Sequence, residues 1–343
     1  MQSSFLVIAH CQIASVISIH FLWRLAIFRI FFYAVSAFAV SGGSVYHAIV
    51  PMFKKQLQII QRDFSKEFRK RYRLYLKKKK LANAPFTKKL FSELEQFLLR
   101  GGKRLRPFLL FLGADEISDS RLRTTDHQLK HGLWDMACGI ELVHTGMLIH
   151  DDMMDGDSMR RGKAALHKIY GSSRAILLGD IAWSLGYDFM LQASLNKEKK
   201  EWAIREFLRA ALFTGEGQAL DIHFRSKTSV SKKELYEIYE LKTARYSFVA
   251  PLIMGSALAG RQRYVPLYRK IGKNMGLLYQ LQDDVADRKK EPESLLGKIN
   301  LDVYKEKSAL HKKILQDVMR VRFPEKNKNI LAELTQFIHD GFG

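Results

Sequence analysis

The chain has 343 residues, 47% hydrophobic and 27% charged, which describes a globular protein with a large core and excludes a disordered or wholly membranous one. Its two cysteines, Cys11 and Cys138, lie far apart, so no disulfide framework or zinc set is legible and a reducing compartment is the default. The formal net charge is +21, concentrated between Lys54 and Arg106, where eighteen Lys or Arg face four acids.

Residues 1–50 read as a hydrophobic, basic N-terminal extension. No Asp or Glu precedes Asp63, and Ile30 to Val50 is a run of 21 residues without Lys, Arg, Asp or Glu, about long enough to span a bilayer. Arg24 and Arg29 flank it on one side and Lys54 and Lys55 on the other, so the positive-inside rule gives no orientation. A membrane anchor, an organellar targeting segment and a start assigned too far upstream are the three readings. The expected location is cytoplasmic, with membrane association through this segment or organellar import as the alternatives. The basic stretch that follows, densest in KKKK at 77–80, is read first as a solvated helix face and second as a contact for anionic lipid. No nucleic-acid motif or interleaved aromatic run accompanies it, so nucleic acid is not an expected partner.

From residue 51 to 343 the pattern predicts one all-α domain. Apolar residues recur at three and four spacings in FSELEQFLL (91–99), DMACGIELVHTGMLIHDDMMD (135–155), SRAILLGDIAWSLGYDFMLQ (173–192) and NMGLLYQLQDDVAD (274–287). Ser231 with Glu234 is a capping box that opens another helix, and Pro251 should kink or interrupt an apolar one.

Within LIHDDMMDGDSMRRG (148–162), Asp151, Asp152, Asp155 and Asp157 crowd together, and like charges at this spacing are costly without a cation among them. A solvated helix end is the plain reading. Asp151 and Asp155, however, lie four apart on one helix face, and Mg2+ binds one or two carboxylates together with waters and phosphate oxygens. The same D-D-x-x-D spacing recurs in Asp283, Asp284 and Asp287, so two facing helices would hold Mg2+ bridged by a diphosphate. A second anion site is written in GGKRLRP (101–107), where Lys103 and Arg106 share a face near a helix start. Arg160 and Arg161 add cations beside the acidic cluster. Two anion sites imply two phosphorylated substrates.

With GGKRLRP, ELVHTGMLIHDDMMDGDSMRRG, ILLGD, GEGQALD, YELKTA and YQLQDDVAD...GK in this order, the chain resembles a trans-isoprenyl diphosphate synthase of the polyprenyl synthetase family, from about Phe91 to Lys298. The resemblance implies a bundle of antiparallel helices around a deep central cavity, usually a homodimer. It implies a prenyltransferase that condenses isopentenyl diphosphate head-to-tail with an allylic diphosphate, using Mg2+, three ions per active site. Lys103, Arg106, His144 and Arg161 match the positions that hold isopentenyl diphosphate. Asp151, Asp152, Asp155, Asp283, Asp284 and Asp287 match the metal ligands, and Arg160 the contact to the allylic diphosphate. Lys242, Thr243, Gln280 and Lys298 match further groups around that substrate, the first three with a catalytic part. His144 alone would read as a satisfied core histidine; its place seven residues before Asp151 reverses that.

The family's first aromatic stop to chain growth lies four or five positions before the first aspartate. Here those positions are Met147 and Gly146, with Val143 a turn deeper. The expected product is therefore geranylgeranyl diphosphate or longer, and Gly146→Tyr is expected to rebuild a floor. The 56 residues after Asp287 are fewer than family members usually carry, with NKNILAELTQFIHDGFG as an abbreviated final helix. The alternatives are a farnesyl diphosphate synthase, a non-catalytic partner subunit and a membrane-tethered lipid-binding protein. The six aspartates speak against the last two.

Overall fold

Helix starts are written by caps. Asp126 accepts from the Leu129 amide at 3.0 Å and Asn196 from the Lys199 amide at 3.1 Å, each satisfying a donor that the first turn leaves open. The expected box at Ser231 is present in full: Glu234 N donates to Ser231 Oγ at 3.2 Å and Ser231 N to Glu234 at 2.8 Å. The computed structural model describes residues 52–117, 126–287, 295–320 and 323–341, the side chain of Asp287 excepted. The candidate span at 30–50 lies outside the described residues. No helix among them is long and apolar enough to cross a membrane.

In chain order the helices are α1 (Met52–Lys78), α2 (Pro85–Leu98), α3 (Leu105–Gly113) and α4 (His127–Met154). A two-stranded antiparallel pair follows, β1 (Met159–Arg160) with β2 (Lys163–Ala164). Then come α5 (Leu166–Tyr170), α6 (Ser172–Gln192), α7 (Lys197–Arg225) and α8 (Lys232–Tyr239). A π-helical stretch (Glu240–Val249), α9 (Ala250–Leu258) and α10 (Val265–Asp287) continue the chain, and α11 (Val303–Met319) and α12 (Glu325–Asp340) complete it. This is the all-α bundle read from the periodicity.

The core follows the spacing of apolar side chains. On α1, Phe53, Leu57, Ile60, Phe64, Phe68 and Tyr72 form one buried stripe at three and four intervals. The opposite face carries the lysines and arginines that make the chain basic, and Lys66, Lys70, Arg73 and Lys77 on it are exposed or half-buried. After α10 the chain packs back on itself: Leu310, Ile314 and Val318 of α11 and Ile330, Leu331, Leu334 and Ile338 of α12 are buried. Phe53 N donates to Glu333 at 2.7 Å, tying α12 to the start of α1.

The interruption at Pro251 takes the form of the π-helical stretch. Proline cannot donate to the carbonyl four residues back, and its ring crowds that carbonyl, so the ladder before it widens. Pro251 itself sits in the first turn of α9, directly after that stretch.

The central helix, α4, is apolar nearly all round and buries residues on every side, from Leu133 to Asp152. Its contact with α6 is backbone-close. Gly139 and Gly146 on α4 meet Gly186 and Gly179 on α6, two pairs each seven residues apart, so both lie on one face. A Cβ on Gly146 would overlap the Trp183 ring and lie 2.7 Å from the Gly179 carbonyl oxygen; one on Gly186 would lie 2.5 Å from Val143 Cγ2. Gly146 and Val143 therefore face α6, and the expectation that a tyrosine at 146 would form a cavity floor is corrected: the Trp183 indole and the Gly179 carbonyl already stand where the ring would go. Gly146→Ala should cost about 1–3 kcal/mol of stability, as overpacked cores do, and Gly146→Tyr should yield little folded protein. Urea midpoints check this; a Gly146→Tyr variant as stable as the parent would contradict the packing.

Candidate active site

A cleft of about 1280 Å3 opens between α3, α4, α7, the π-helical stretch and α10. From α4 it takes His144, Met147, Asp151 and Asp155, at three- and four-residue steps that define the face turned away from α6. The π-helical stretch contributes Lys242, Thr243, Tyr246 and Ser247, and α10 contributes Gln280, Asp283 and Asp284.

One end is cationic. Gly101 and Gly102, both at positive φ, lead into Arg104, which is left-handed (φ 52°) at the N-cap of α3. That turn sends the Arg104 side chain inward to Glu141 and the Leu98 carbonyl, while Lys103 and Arg106 line the cleft. Lys103 lies in the loop just before α3 rather than on it. Arg106 donates to Ser247 Oγ at 2.6 Å and stacks 5.2 Å from the Tyr246 ring centre. Arg161, also left-handed (φ 53°), is held near Leu98 O at 3.4 Å. Its burial, with Arg104, Arg106 and Arg160 nearby, lowers it to about 10 against the opposing pull of Glu141. His144 is lowered well below the ordinary histidine value, by burial first and then by Arg106, Arg161, Arg104 and Arg160, so it is neutral at pH 7. Partly desolvated guanidiniums outnumbering their one carboxylate make this end a receptor for an anion.

The other end is acidic, and several of its carboxylates are paired. Asp152, 1% exposed, is bonded by Arg160, which also reaches Asp157 at 2.9 Å. Arg225 bridges Asp155 and Asp221 at 2.8 Å each, and Lys242 joins Asp221 at 2.8 Å. Across the cleft Asp284 accepts from Tyr239 and from Gln280 Nε2 at 2.7 Å, and Thr243 donates to Gln280 Oε1 at 2.6 Å. Burial, with Asp283 beside it, pushes Asp284 up to about 6. Burial also raises Asp151 and Asp152, opposed by Lys242 and Arg160 respectively. Lys298 caps α7 by donating to the carbonyls of Phe224 and Arg225.

Every named site residue with a described side chain, except four, thus lines this cleft: Asp152 is buried behind it against Arg160, Lys298 borders it through Arg225, and Gly146 and Val143 face α6. The side chain of Asp287, at the end of α10, lies outside the described residues. No group of three His, Cys, Asp or Glu among the described residues is gathered as a metal cluster; the carboxylates stand on two walls instead. Hard oxygen donors on facing walls, Asp151 and Asp155 on one and Asp283 and Asp284 on the other, fit a hard divalent cation such as Mg2+. The sequence reading missed Asp221, Arg225, Tyr239 and Ser247. Asp221 sits in GEGQALD and Arg225 one turn beyond it, so that motif carried a signal; Ser247 had none.

A histidine held neutral by burial gives stability that is complete above its unfolded value of 6.5 and is lost as pH falls below it, because the unfolded chain then binds the extra proton. The urea midpoint of the parent should therefore drop more steeply from pH 6.5 to 5 than that of His144→Gln. Parallel curves would show that His144 is not held in this way.

The family model for polyprenyl synthetase matches residues 87–335. The chain is 34% identical over 217 residues to a geranylfarnesyl diphosphate synthase of Natronomonas pharaonis, covering 61% of this chain and 63% of that one. It is 32% identical to a geranylgeranyl diphosphate synthase of Sulfolobus acidocaldarius, over 57% and 58% of the two chains. The chain spans 54–63% of the length of the first curated relatives it matches. Among solved structures, a Helicobacter pylori geranyltransferase is 26% identical with a TM-score of 0.65, over 80% of this chain and 96% of that one. A Corynebacterium glutamicum geranylgeranyl pyrophosphate synthase, complexed with isoprenyl diphosphate and magnesium, shares the fold at 21% identity and a TM-score of 0.68, over 83% and 99%. The chain belongs to the polyprenyl synthetase family.

Proposed function

We propose that this cleft condenses isopentenyl diphosphate with an allylic prenyl diphosphate to make a longer trans-prenyl diphosphate, geranylgeranyl or longer. One observation carries the reading: carboxylate pairs on two facing helices, Asp151 with Asp155 and Asp283 with Asp284, share a cleft with a separate cluster of buried cations at Arg106 and Arg161. A relative complexed with isoprenyl diphosphate and magnesium supports it.

In this reading the allylic diphosphate lies at the acidic end and isopentenyl diphosphate at the cationic end, held by Lys103, Arg106, Arg161 and neutral His144. The C1–O bond of the allylic substrate breaks and its electron pair leaves with diphosphate. The alkene of isopentenyl diphosphate bonds through C4 to that C1, and the C2 proton goes to the released diphosphate. The six aspartates would hold Mg2+, three ions in all, and the bound metal would supply Lewis-acid stabilisation of the leaving group. Arg160 and Lys242 are fixed cations beside that group. Thr243 and Gln280 present oxygen dipoles to the allylic cation, their mutual hydrogen bond fixing both in place. No protein nucleophile takes part. Six retained aspartates favour this over a non-catalytic partner subunit, and Gly146 leaves the farnesyl alternative to the measurement of product.

Two surfaces extend the proposal. Leu208, Leu212 and Ile222 form an exposed apolar stripe along α7, with Leu212 77% exposed, and Ile176 and Leu177 stand exposed on α6. We assign these to a homodimer, tested by light scattering: Leu212→Glu should lower the mass toward that of one chain. The basic face of α1 is assigned to anionic lipid, and sedimentation with phosphatidylserine vesicles should fall as salt rises.

Asp151→Ala or Asp283→Ala should lower turnover about a hundredfold or more, the scale seen when one electrostatic group is removed, and retention of activity within tenfold would sink the two-wall metal reading. Arg106→Ala should chiefly raise KM for isopentenyl diphosphate, and Arg160→Ala chiefly that for the allylic substrate. Equal effects on both substrates would overturn the assignment of ends.

A further inference from the structure

Resting on the reading of the cleft as a prenyl-tail site, we infer that Trp183 of α6, rather than any residue preceding Asp151 on α4, is the stop that sets how long a tail the protein accepts. The glycine at 146 has no side chain, yet the space beside it is occupied. Trp183 fills it: a Cβ on Gly146 would overlap the indole. Trp183 reaches across α6 from a position one turn beyond Gly179 and lines the cleft, as Met147 does.

Deeper growth between α4 and α6 is closed, because Gly139 and Gly186 bring the two backbones together there, with Val143 packed against Gly186. What stands behind Trp183 is a rank of rings. Tyr187 lies 6.2 Å from it edge-on, Phe207 6.2 Å from Tyr187, and Tyr246 5.1 Å from Phe207. Trp183 Nε1 and the Tyr187 hydroxyl are both buried without hydrogen-bond partners. Nothing polar answers them, so this end of the cleft is apolar and suits a hydrocarbon tail. Of the rank, Trp183 and Tyr246 border the cleft, while Tyr187 and Phe207 stand behind. Tyr246 is pinned by Arg106 at the cationic end, which leaves Trp183, seated against Gly146 on the helix that carries Asp151, as the ring of this rank that a tail running down α4 from the acidic end would meet. Met147 is unbranched and can move aside; an indole wedged against α4 cannot.

Trp183→Ala and Trp183→Leu test this in the full chain, with circular dichroism confirming the fold and Leu retaining bulk should Ala prove unstable. Two readouts apply: product length with isopentenyl diphosphate in excess, and affinity for geranylgeranyl against farnesyl diphosphate by titration calorimetry. Each buried methylene is worth roughly a fourfold change in affinity. The ratio favouring the longer tail should therefore rise by about tenfold or more, and the main product should lengthen by at least one isoprene unit. Unchanged product length and an unchanged affinity ratio in whichever variant folds would overturn the inference. A parent without turnover, whose tail preference still shifts in the variants, would sink the transferase reading and leave the stop standing.

Discussion

Burying carboxylates and guanidiniums in one cleft requires that most of the charges meet an opposite charge or a hydrogen-bond partner. Isolated ions in a low-dielectric interior cost far more than a domain's net stability, so the arrangement must be closed locally. The chain does this with its own side chains. Arg160 answers Asp152, Arg225 answers Asp155 and Asp221, Lys242 answers Asp221 again, and Tyr239 with Gln280 answers Asp284. A ligand that brings its own charges to such a site meets paired carboxylates rather than bare ones. The same closure explains why the cationic end stays open to an anion: Arg104 has taken Glu141, while Arg106 bonds a hydroxyl and Arg161 a carbonyl, neither of which cancels a charge.

That electrostatic arrangement depends on how α4 is divided. One face is given to the cleft, through His144, Met147, Asp151 and Asp155, and another to α6 through glycines. Where a helix touches its neighbour backbone to backbone, its rotation about its own axis is fixed, because any turn would drive a side chain into a carbonyl. The glycine pairs therefore aim the aspartates. The π-helical stretch does comparable work on the opposite wall. It presents Lys242 and Thr243 to the cleft and, one turn on, Tyr246 and Ser247.

Much of this was legible in the sequence. Helices are local, and caps such as Ser231 with Glu234 act within a turn, so the all-α bundle could be read from periodicity and end signals. The carboxylates and basic pairs could be read because their spacing places them on shared faces. Partner choice was harder. That Arg225 bonds Asp155, 70 residues away in sequence, or that Ser247 holds Arg106, follows from helix crossings that no local pattern records.

Gly146 shows where the limit lies. It stands five residues before Asp151, and Met147 stands four before it. An α-helix closes a turn in slightly fewer than four residues, so four steps back return almost to the same face, while a fifth carries the chain well round the axis. Met147 therefore stays on the cleft with Asp151, and Gly146 is carried toward α6. Spacing thus contained the answer for both residues, but not the location of the neighbouring backbone that makes one further step decisive. A missing side chain reads in sequence as empty space. In a close-packed interior it more often marks the place that another residue fills, and here the glycine is the seat of Trp183.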